Sequence, residues 1–212
     1  MSRIAVLDYG ASNLRSVSKA LEHVSGGKHR IIVSDEARTI RTCSRVVFPG
    51  QGAIGQCMER LGKKGLMETL RESVADKPFL GICLGLQTLM QESEENGGTL
   101  GLGIIPGKVI KFPDDARDKY GNPCKIPHMG WNNLMRTQEH PLWKGIDTSE
   151  RFYFVHSYYV LPEREQDIAA MTDYVTEFTS VIARDNLFAV QFHPEKSQRA
   201  GLQLLRNFLD WS

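Results

Sequence analysis

Long apolar runs, an excess of one charge and paired cysteines are what this sequence lacks, and each absence removes a class of function. No stretch of the 212 residues approaches the roughly 20 apolar residues that a membrane-spanning helix needs. Met1-Ser2-Arg3 leads straight into a strand-like run, unlike a secretory leader, so a cytoplasmic location is expected. Lys and Arg number 26 against 25 Asp and Glu, a net charge of +1, which leaves no broad electrostatic footprint for nucleic acid or an anionic membrane. The four cysteines, Cys43, Cys57, Cys83 and Cys124, form no Cys-x-x-Cys pair; this suits reduced thiols and argues against a zinc cage or a disulfide framework. No metal or organic cofactor is implied. Internal repeats, low-complexity tracts and a convincing linker are missing too, and the length suits one domain over residues 1–212.

What is present is an alternation of apolar strands with helical patterns. Ile4 to Asp8 reads as a strand, and Asn13 as a plausible N-cap for a helix over Leu14 to His23. Arg30 to Val33 and Arg45 to Phe48 read as further strands, with Asp35 capping a short helix between them. Helical spacing resumes through Met58, Leu61, Leu66, Met67 and Leu70. Such alternation predicts an α/β fold with an open, mostly parallel central sheet flanked by helices, and ligand sites beyond the carboxyl ends of the strands. After Gly97-Gly98 the pattern becomes antiparallel in character: strands are expected over Ile104 to Phe112, Asn132 to Arg136, Phe152 to Val160 and Ile168 to Tyr174. A hairpin of Thr179 to Arg184 and Leu187 to Phe192 turns at Asp185-Asn186, and a closing helix spans Ser197 to Trp211. The polar stretch Asp114 to Asn122 reads as a mobile surface loop.

The chain is organised around Gly81-Ile82-Cys83-Leu84-Gly85. Pro78 to Ile82 reads as a buried strand and Leu84 to Glu95 as a helix, which puts Cys83 on a sharp strand-to-helix turn that flanking glycines permit. Backbone N–H groups of the helix's first turn favour negative charge on the sulfur. A cysteine nucleophile needs a base, and the base needs a group that fixes its tautomer. His193-Pro194-Glu195, directly after the hairpin, supplies a histidine and a carboxylate. Either motif alone is weak, since a cysteine after a buried strand is often core and a histidine at a strand end is usually a surface group.

Together, Gly81-Ile82-Cys83-Leu84-Gly85 and Gln191-Phe192-His193-Pro194-Glu195 resemble the class I glutamine amidotransferases over nearly the whole chain. The resemblance implies a flavodoxin-like fold and glutamine as substrate, with Cys83 as nucleophile, His193 as general base and Glu195 as its orienting carboxylate. It also implies ammonia and glutamate as products. Leu7 to Leu14 and Pro127-His128-Met129-Gly130-Trp131-Asn132 are similar to one branch of that family, the glutaminase subunits of imidazole glycerol-phosphate synthases in histidine biosynthesis. That likeness implies a heterodimer with a separate cyclase subunit, which would use the ammonia to form imidazole glycerol phosphate and aminoimidazole carboxamide ribonucleotide.

Further roles follow from the same resemblance. The backbone N–H groups of Leu84 and Gln51 are expected to form the oxyanion hole, and the glycines beside Gln51 would let its peptide take more than one orientation. Gly52, Gln87, Glu95, His156, Ser157 and Tyr158 are expected around the substrate's α-amino and carboxylate groups, with Glu95 equally readable as a solvated charge. Asn13, Trp131 and Lys196 are expected at the partner interface; Pro127 to Asn132 reads as an irregular segment with exposed amphipathic side chains, although composition alone would put Trp131 in the core. His128 and His156 read more readily as structural or interfacial than as catalytic. Three alternatives stay open on the residues: another cysteine hydrolase of peptidase or deglycase type, a silent binding subunit whose elbow is only structural, and the glutaminase of pyridoxal-phosphate synthase.

Overall fold

The computed structural model describes residues 1–117 and 121–211. In β1 (Ser2–Leu7), Ile4 and Val6 enter one packing layer, Ala5 and Leu7 enter the other, and all four are fully buried. A strand whose side chains alternate between two covered faces must be apolar at every position, which is why such a strand reads as a continuous run. The chain continues through α1 (Leu14–Ser25), β2 (His29–Ser34), α2 (Ala37–Thr42), β3 (Arg45–Gly50), α3 (Ile54–Lys63), α4 (Met67–Asp76) and β4 (Phe79–Cys83). It then forms α5 (Leu84–Thr88), β5 (Met90–Ser93), β6 (Thr99–Leu100), β7 (Ile105–Lys111), β8 (His128–Asn133) and β9 (Met135–Arg136). The last elements are β10 (Arg151–His156), β11 (Tyr158–Pro162), β12 (Ile168–Asp173), β13 (Glu177–Arg184), β14 (Leu187–Val190) and α6 (Gln198–Asp210).

The parallel part of the sheet runs β2-β1-β3-β4-β14, the order of a flavodoxin-like fold. From β14 the sheet continues antiparallel through β13, β11 and β7, with β12 branching from β13 to pair with β9, β5 joining β7 in parallel and β6 capping β5. One core layer holds Val17, Leu21, Leu204, Leu205 and Phe208 from α1 and α6. The other holds Ile40, Leu61 and Leu70 from α2, α3 and α4. This is the α/β architecture with an antiparallel extension that the sequence predicts. Among the described residues, no helix is long and apolar enough to cross a membrane.

Five local expectations need correction. The helix expected over Leu84 to Glu95 ends at Thr88, because the chain peels away to pair as β5 with β7, and Leu89's carbonyl accepts the N–H groups of Ile104 and Ile105. The run Phe152 to Val160 is two strands: β10 pairs with β8 in a separate sheet, whereas β11 joins the main one. Pro127 to Asn132 is not irregular, since His128 onward is a regular strand facing β10. The spacing from Met58 to Leu70 belongs to two helices, broken where Gly65 takes a φ of +64°. Neither expected cap is made: α1 has no side-chain cap from Asn13, and Asp35 pairs with Lys64. Of the Asp114 to Asn122 loop, residues 118–120 lie outside the described residues.

The glycines around Cys83 act differently from the expectation. The left-handed conformation falls on Cys83 itself (φ +54°, ψ −106°), while Gly81 and Gly85 serve close approach. A methyl group on Gly85 would lie 1.9 Å from the Phe48 carbonyl oxygen, and one on Gly81 would lie 3.0 Å from the Ala189 Cβ. Backbone meets backbone at the elbow because no side chain fits there. Gly85→Ala is therefore expected to destabilise the protein by about 3 kcal/mol, read as a lower urea midpoint; a midpoint equal to wild type would contradict the close approach.

Candidate active site

Three neighbouring strand ends build the site. Gly50 at the end of β3 lies in register with Cys83 at the end of β4, and Val190 at the end of β14 pairs with Ile82. Gln191 and Phe192 then carry the chain to His193, whose backbone N–H donates to the Tyr153 carbonyl at 2.9 Å. Ser197 locks the same point, since its hydroxyl donates to the His193 carbonyl at 2.7 Å and accepts from the Tyr153 N–H at 2.9 Å. Residues more than a hundred positions apart in sequence thus reach one rim.

His193 Nδ1 and Glu195 Oε1 are 2.8 Å apart, with both side chains fully buried. The carboxylate accepts, so Nδ1 carries the proton and Nε2 is left for the sulfur. Nε2 closes no hydrogen bond, and His193 and Cys83 line the same cleft. Burial alone would depress the imidazole's pKa; Cys83 and Glu195 together more than offset this and hold it well above the ordinary histidine range. The elbow residue keeps a φ of +54°, the kind of backbone strain that persists where surrounding packing over-determines it.

A cleft of about 270 Å³ opens beside this pair, lined by Gln51, Gly52, Cys83, Leu84, Gln87, Glu95, His156, Ser157, Tyr158 and His193, together with Pro127 and Val155. Every residue expected around the substrate or the oxyanion lines it. Three of them are held in ways the sequence did not indicate. Glu95 is neither a free solvated charge nor an uncommitted carboxylate: its Oε2 accepts the Ile54 N–H at 2.7 Å and so caps α3. Gln87, only 6 % exposed, donates to the Tyr158 carbonyl at 3.0 Å and to Gln191 Oε1 at 3.2 Å. Gln51 bonds through its side chain to Ser12.

The expected interface residues divide. Trp131 is 39 % exposed and meets the Tyr153 ring edge-on at 5.8 Å, and the Lys196 ammonium lies 5.9 Å from the centre of the same ring. These two share one surface. Asn13, in contrast, is buried at 5 % exposure and donates to Glu195 Oε1 at 3.4 Å, so it faces the carboxylate and not the outside. His128 and His156 are buried neighbours whose ring nitrogens lie 3.1 Å apart. Burial lowers His128 to about 4 and His156 to about 3, so both rings are neutral near pH 7.

Sequence reasoning gave no role to Gln191 or Tyr9. Gln191 is fully buried and donates to the Cys83 sulfur at 3.6 Å; the available signal was an amide between apolar Val190 and Phe192, where a polar side chain needs a partner. Tyr9 stands over Gly50, where an added Cβ would come within 2.3 Å of its hydroxyl, and burial raises its pKa. Among the described residues, no group of three or more His, Cys, Asp or Glu is placed to hold a metal ion.

Comparison with known proteins gives concordant matches. The family "Glutamine amidotransferase class-I" matches residues 5–211. The chain is 56 % identical to the imidazole glycerol phosphate synthase subunit HisH of Nitrosomonas europaea and 54 % identical to that of Aromatoleum aromaticum, each match covering 100 % of both chains. The crystal structure of a glutamine amidotransferase from Thermotoga maritima matches with a TM-score of 0.68 at 13 % identity, over 99 % of this chain and 96 % of that one, a likeness of fold.

The buried imidazoles make stability depend on acid. Unfolded histidines take up protons below about pH 6.5, whereas folded His128 and His140 are lowered to about 4 and His156 to about 3, all mainly by burial. The unfolded state then binds more protons, and stability falls as pH drops from 6.5 toward 4. His128→Phe is expected to remove close to one proton from the uptake on unfolding in that window, measured as the slope of unfolding free energy against pH. An unchanged slope would contradict a neutral buried His128.

Proposed function

This chain belongs to the glutamine amidotransferase class-I family, and from that membership and the geometry of its cleft we propose that it releases ammonia from glutamine as the glutaminase subunit of an imidazole glycerol-phosphate synthase. Full-length relatives at 50–56 % identity carry the name of that subunit. The observation that carries the chemical assignment is the convergence of Cys83 and His193 at one cleft that Gly52, Gln87, Glu95 and His156 also line, with Glu195 held on His193 Nδ1.

In this reading the Cys83 thiolate attacks the side-chain amide carbon of glutamine and forms a C–S bond. The carbonyl π electrons move onto oxygen, where the backbone N–H groups of Leu84 and Gln51 stabilise the charge. The His193 imidazolium gives its Nε2 proton to the departing nitrogen, the C–N bond breaks, and ammonia leaves a glutamyl thioester. Neutral His193 next takes a proton from water as the water attacks the thioester; glutamate leaves and the thiolate–imidazolium pair is restored. Glu195, through its 2.8 Å contact with Nδ1, holds the ring in the tautomer that both proton transfers require.

Gly50 and Gly52 flank Gln51, so the peptide in the loop after β3 can take more than one orientation, and completing the oxyanion hole fixes one of them. We assign that step to docking of a cyclase subunit on the surface of Trp131, Tyr153 and Lys196, whose last member follows Glu195 directly in sequence. Release of ammonia inside a heterodimer also protects it from protonation by water, which would leave it without nucleophilic character.

Cys83→Ala is expected to lower glutamine hydrolysis at least about 1,000-fold, while the complex with the cyclase still turns over its nucleotide substrate when ammonium salt is supplied. Glutamate formation that survives the substitution would overturn the assignment. Equal glutaminase rates with and without the substrate-loaded cyclase would remove the regulatory step while leaving the chemistry intact.

A further inference from the structure

The helix that follows Cys83 is only five residues long, too short for its dipole to contribute much to holding charge on the sulfur. Another donor is present. Gln191 is fully buried, and its Nε2 lies 3.6 Å from the Cys83 sulfur. A carboxamide can present either its NH2 or its oxygen to a neighbour, so the chemistry depends on what fixes its orientation.

One backbone carbonyl fixes it. The Tyr158 carbonyl can only accept, and it does so from Gln87 Nε2 at 3.0 Å and from His156 Nδ1 at 2.9 Å. Gln87 therefore turns its NH2 inward, and the second hydrogen of that NH2 goes to Gln191 Oε1 at 3.2 Å. With its oxygen taken, Gln191 has only its NH2 left for the sulfur. From the same carbonyl the order runs outward as well. His156 carries its proton on Nδ1, so its Nε2 accepts from His128 Nδ1 at 3.1 Å. His128 Nε2 then faces Asn132 Nδ2 at 3.4 Å, and that amide donates to the Asp173 carbonyl at 2.8 Å.

We propose that Gln191 is a dedicated hydrogen-bond donor to the Cys83 sulfur, that Gln87 and the Tyr158 carbonyl orient it, and that this arm favours the thiolate over the thiol. The proposal rests on Cys83 as the nucleophile. It gives Gln87 the part of a positioning residue at the cleft wall, in addition to any contact with glutamine. An N–H donor to a thiolate is a charge-assisted hydrogen bond, stronger than the same donor makes to a neutral thiol, so its loss selectively penalises the ionised sulfur. The other titratable groups that act on the sulfur are His193 and, from the end of β1, the Tyr9 phenol. Glu195 acts through His193, and Glu95 lines the far side of the cleft. Gln191 is uncharged, so its effect on the sulfur is separable from theirs.

The test is the rate of iodoacetamide alkylation of the full chain between pH 5 and pH 10, followed on the Cys83 peptide so that Cys43, Cys57 and Cys124 do not contribute, together with glutaminase kinetics of the complex. Gln191→Met keeps the volume and removes the donor. Its alkylation profile is expected to need about one pH unit more alkali to reach a given rate, and kcat is expected to fall about tenfold with KM little changed. Gln87→Met leaves Gln191 in place and frees its amide to invert, which predicts a smaller shift in the same direction. A folded Gln191→Met protein whose alkylation profile superimposes on wild type would overturn the proposal, even if its thermal stability has dropped, because a merely structural amide would lower stability without moving the profile. Should Gln191→Met fail to fold, an unshifted profile in Gln87→Met would overturn it equally. Failure of the nucleophile assignment is seen separately, as glutamate formation by Cys83→Ala.

Discussion

The constraint on which this structure depends is the parallel contact of β4 with β3 on one side and β14 on the other. Phe79 packs into one core layer and Leu80 and Ile82 into the other, all fully buried, so a one-residue slip of β4 would exchange the two sets and put a side chain where Gly81 approaches Ala189. Gly81 and Gly85 then let the elbow close against Ala189 and the Phe48 carbonyl. With three strands locked together, the loop after β3, the cysteine after β4 and the histidine beyond β14 are delivered to the same rim. The positive φ of Cys83 is the local cost of turning there, of the order of 1–3 kcal/mol. Two covered sheet faces offset it.

What the sequence made legible follows from this arrangement. β1, β3, β4 and the β13–β14 hairpin announce themselves because a strand covered on both faces, or a turn at Asp185 with a φ of +51°, leaves a local signature. The elbow and the His-Pro-Glu segment were legible for a similar reason, since each is contiguous in sequence. Elements fixed by distant partners were not. Leu84 to Glu95 has helical spacing, yet its second half is claimed by β7. Phe152 to Val160 has one unbroken strand pattern, yet Ser157 divides it between two sheets, a decision made by β8 on one side and β7 on the other. Pairing across sequence overrides local preference in both cases.

The polar side chains of the site were the least legible part. Nothing in the sequence distinguishes Gln87, with its two donated bonds, from a solvent-facing helix glutamine, and nothing sets Asn13 against Glu195. Such roles exist only after folding, when a dry surround makes each donor find an acceptor. Glu95 makes the same point, because its carboxylate closes the start of α3 from a turn that the sequence placed inside a helix.

Around the elbow, unpaired polar groups stand beside fully paired ones. Among the described residues, eight side-chain atoms are buried without a hydrogen-bond partner; four of them, Tyr9 Oη, Asn13 Oδ1, His193 Nε2 and Glu195 Oε2, lie around the elbow, and the others, on Thr69, Arg136, Trp143 and Asp167, lie elsewhere in the fold. Each such group costs on the order of 1–3 kcal/mol when desolvated, so a site built only for stability would pair them. Gln87, Gln191, His128 and His156, a few ångströms further along, are linked into a continuous directional series. The contrast follows from what each set does in the proposed reaction. A nitrogen that passes a proton to and from a substrate cannot be committed to a permanent partner, whereas an amide that holds one orientation must be committed at both ends. In this chain the Cys83 sulfur stands between the two kinds: on one side an imidazole with an open nitrogen, on the other a carboxamide whose oxygen is already taken.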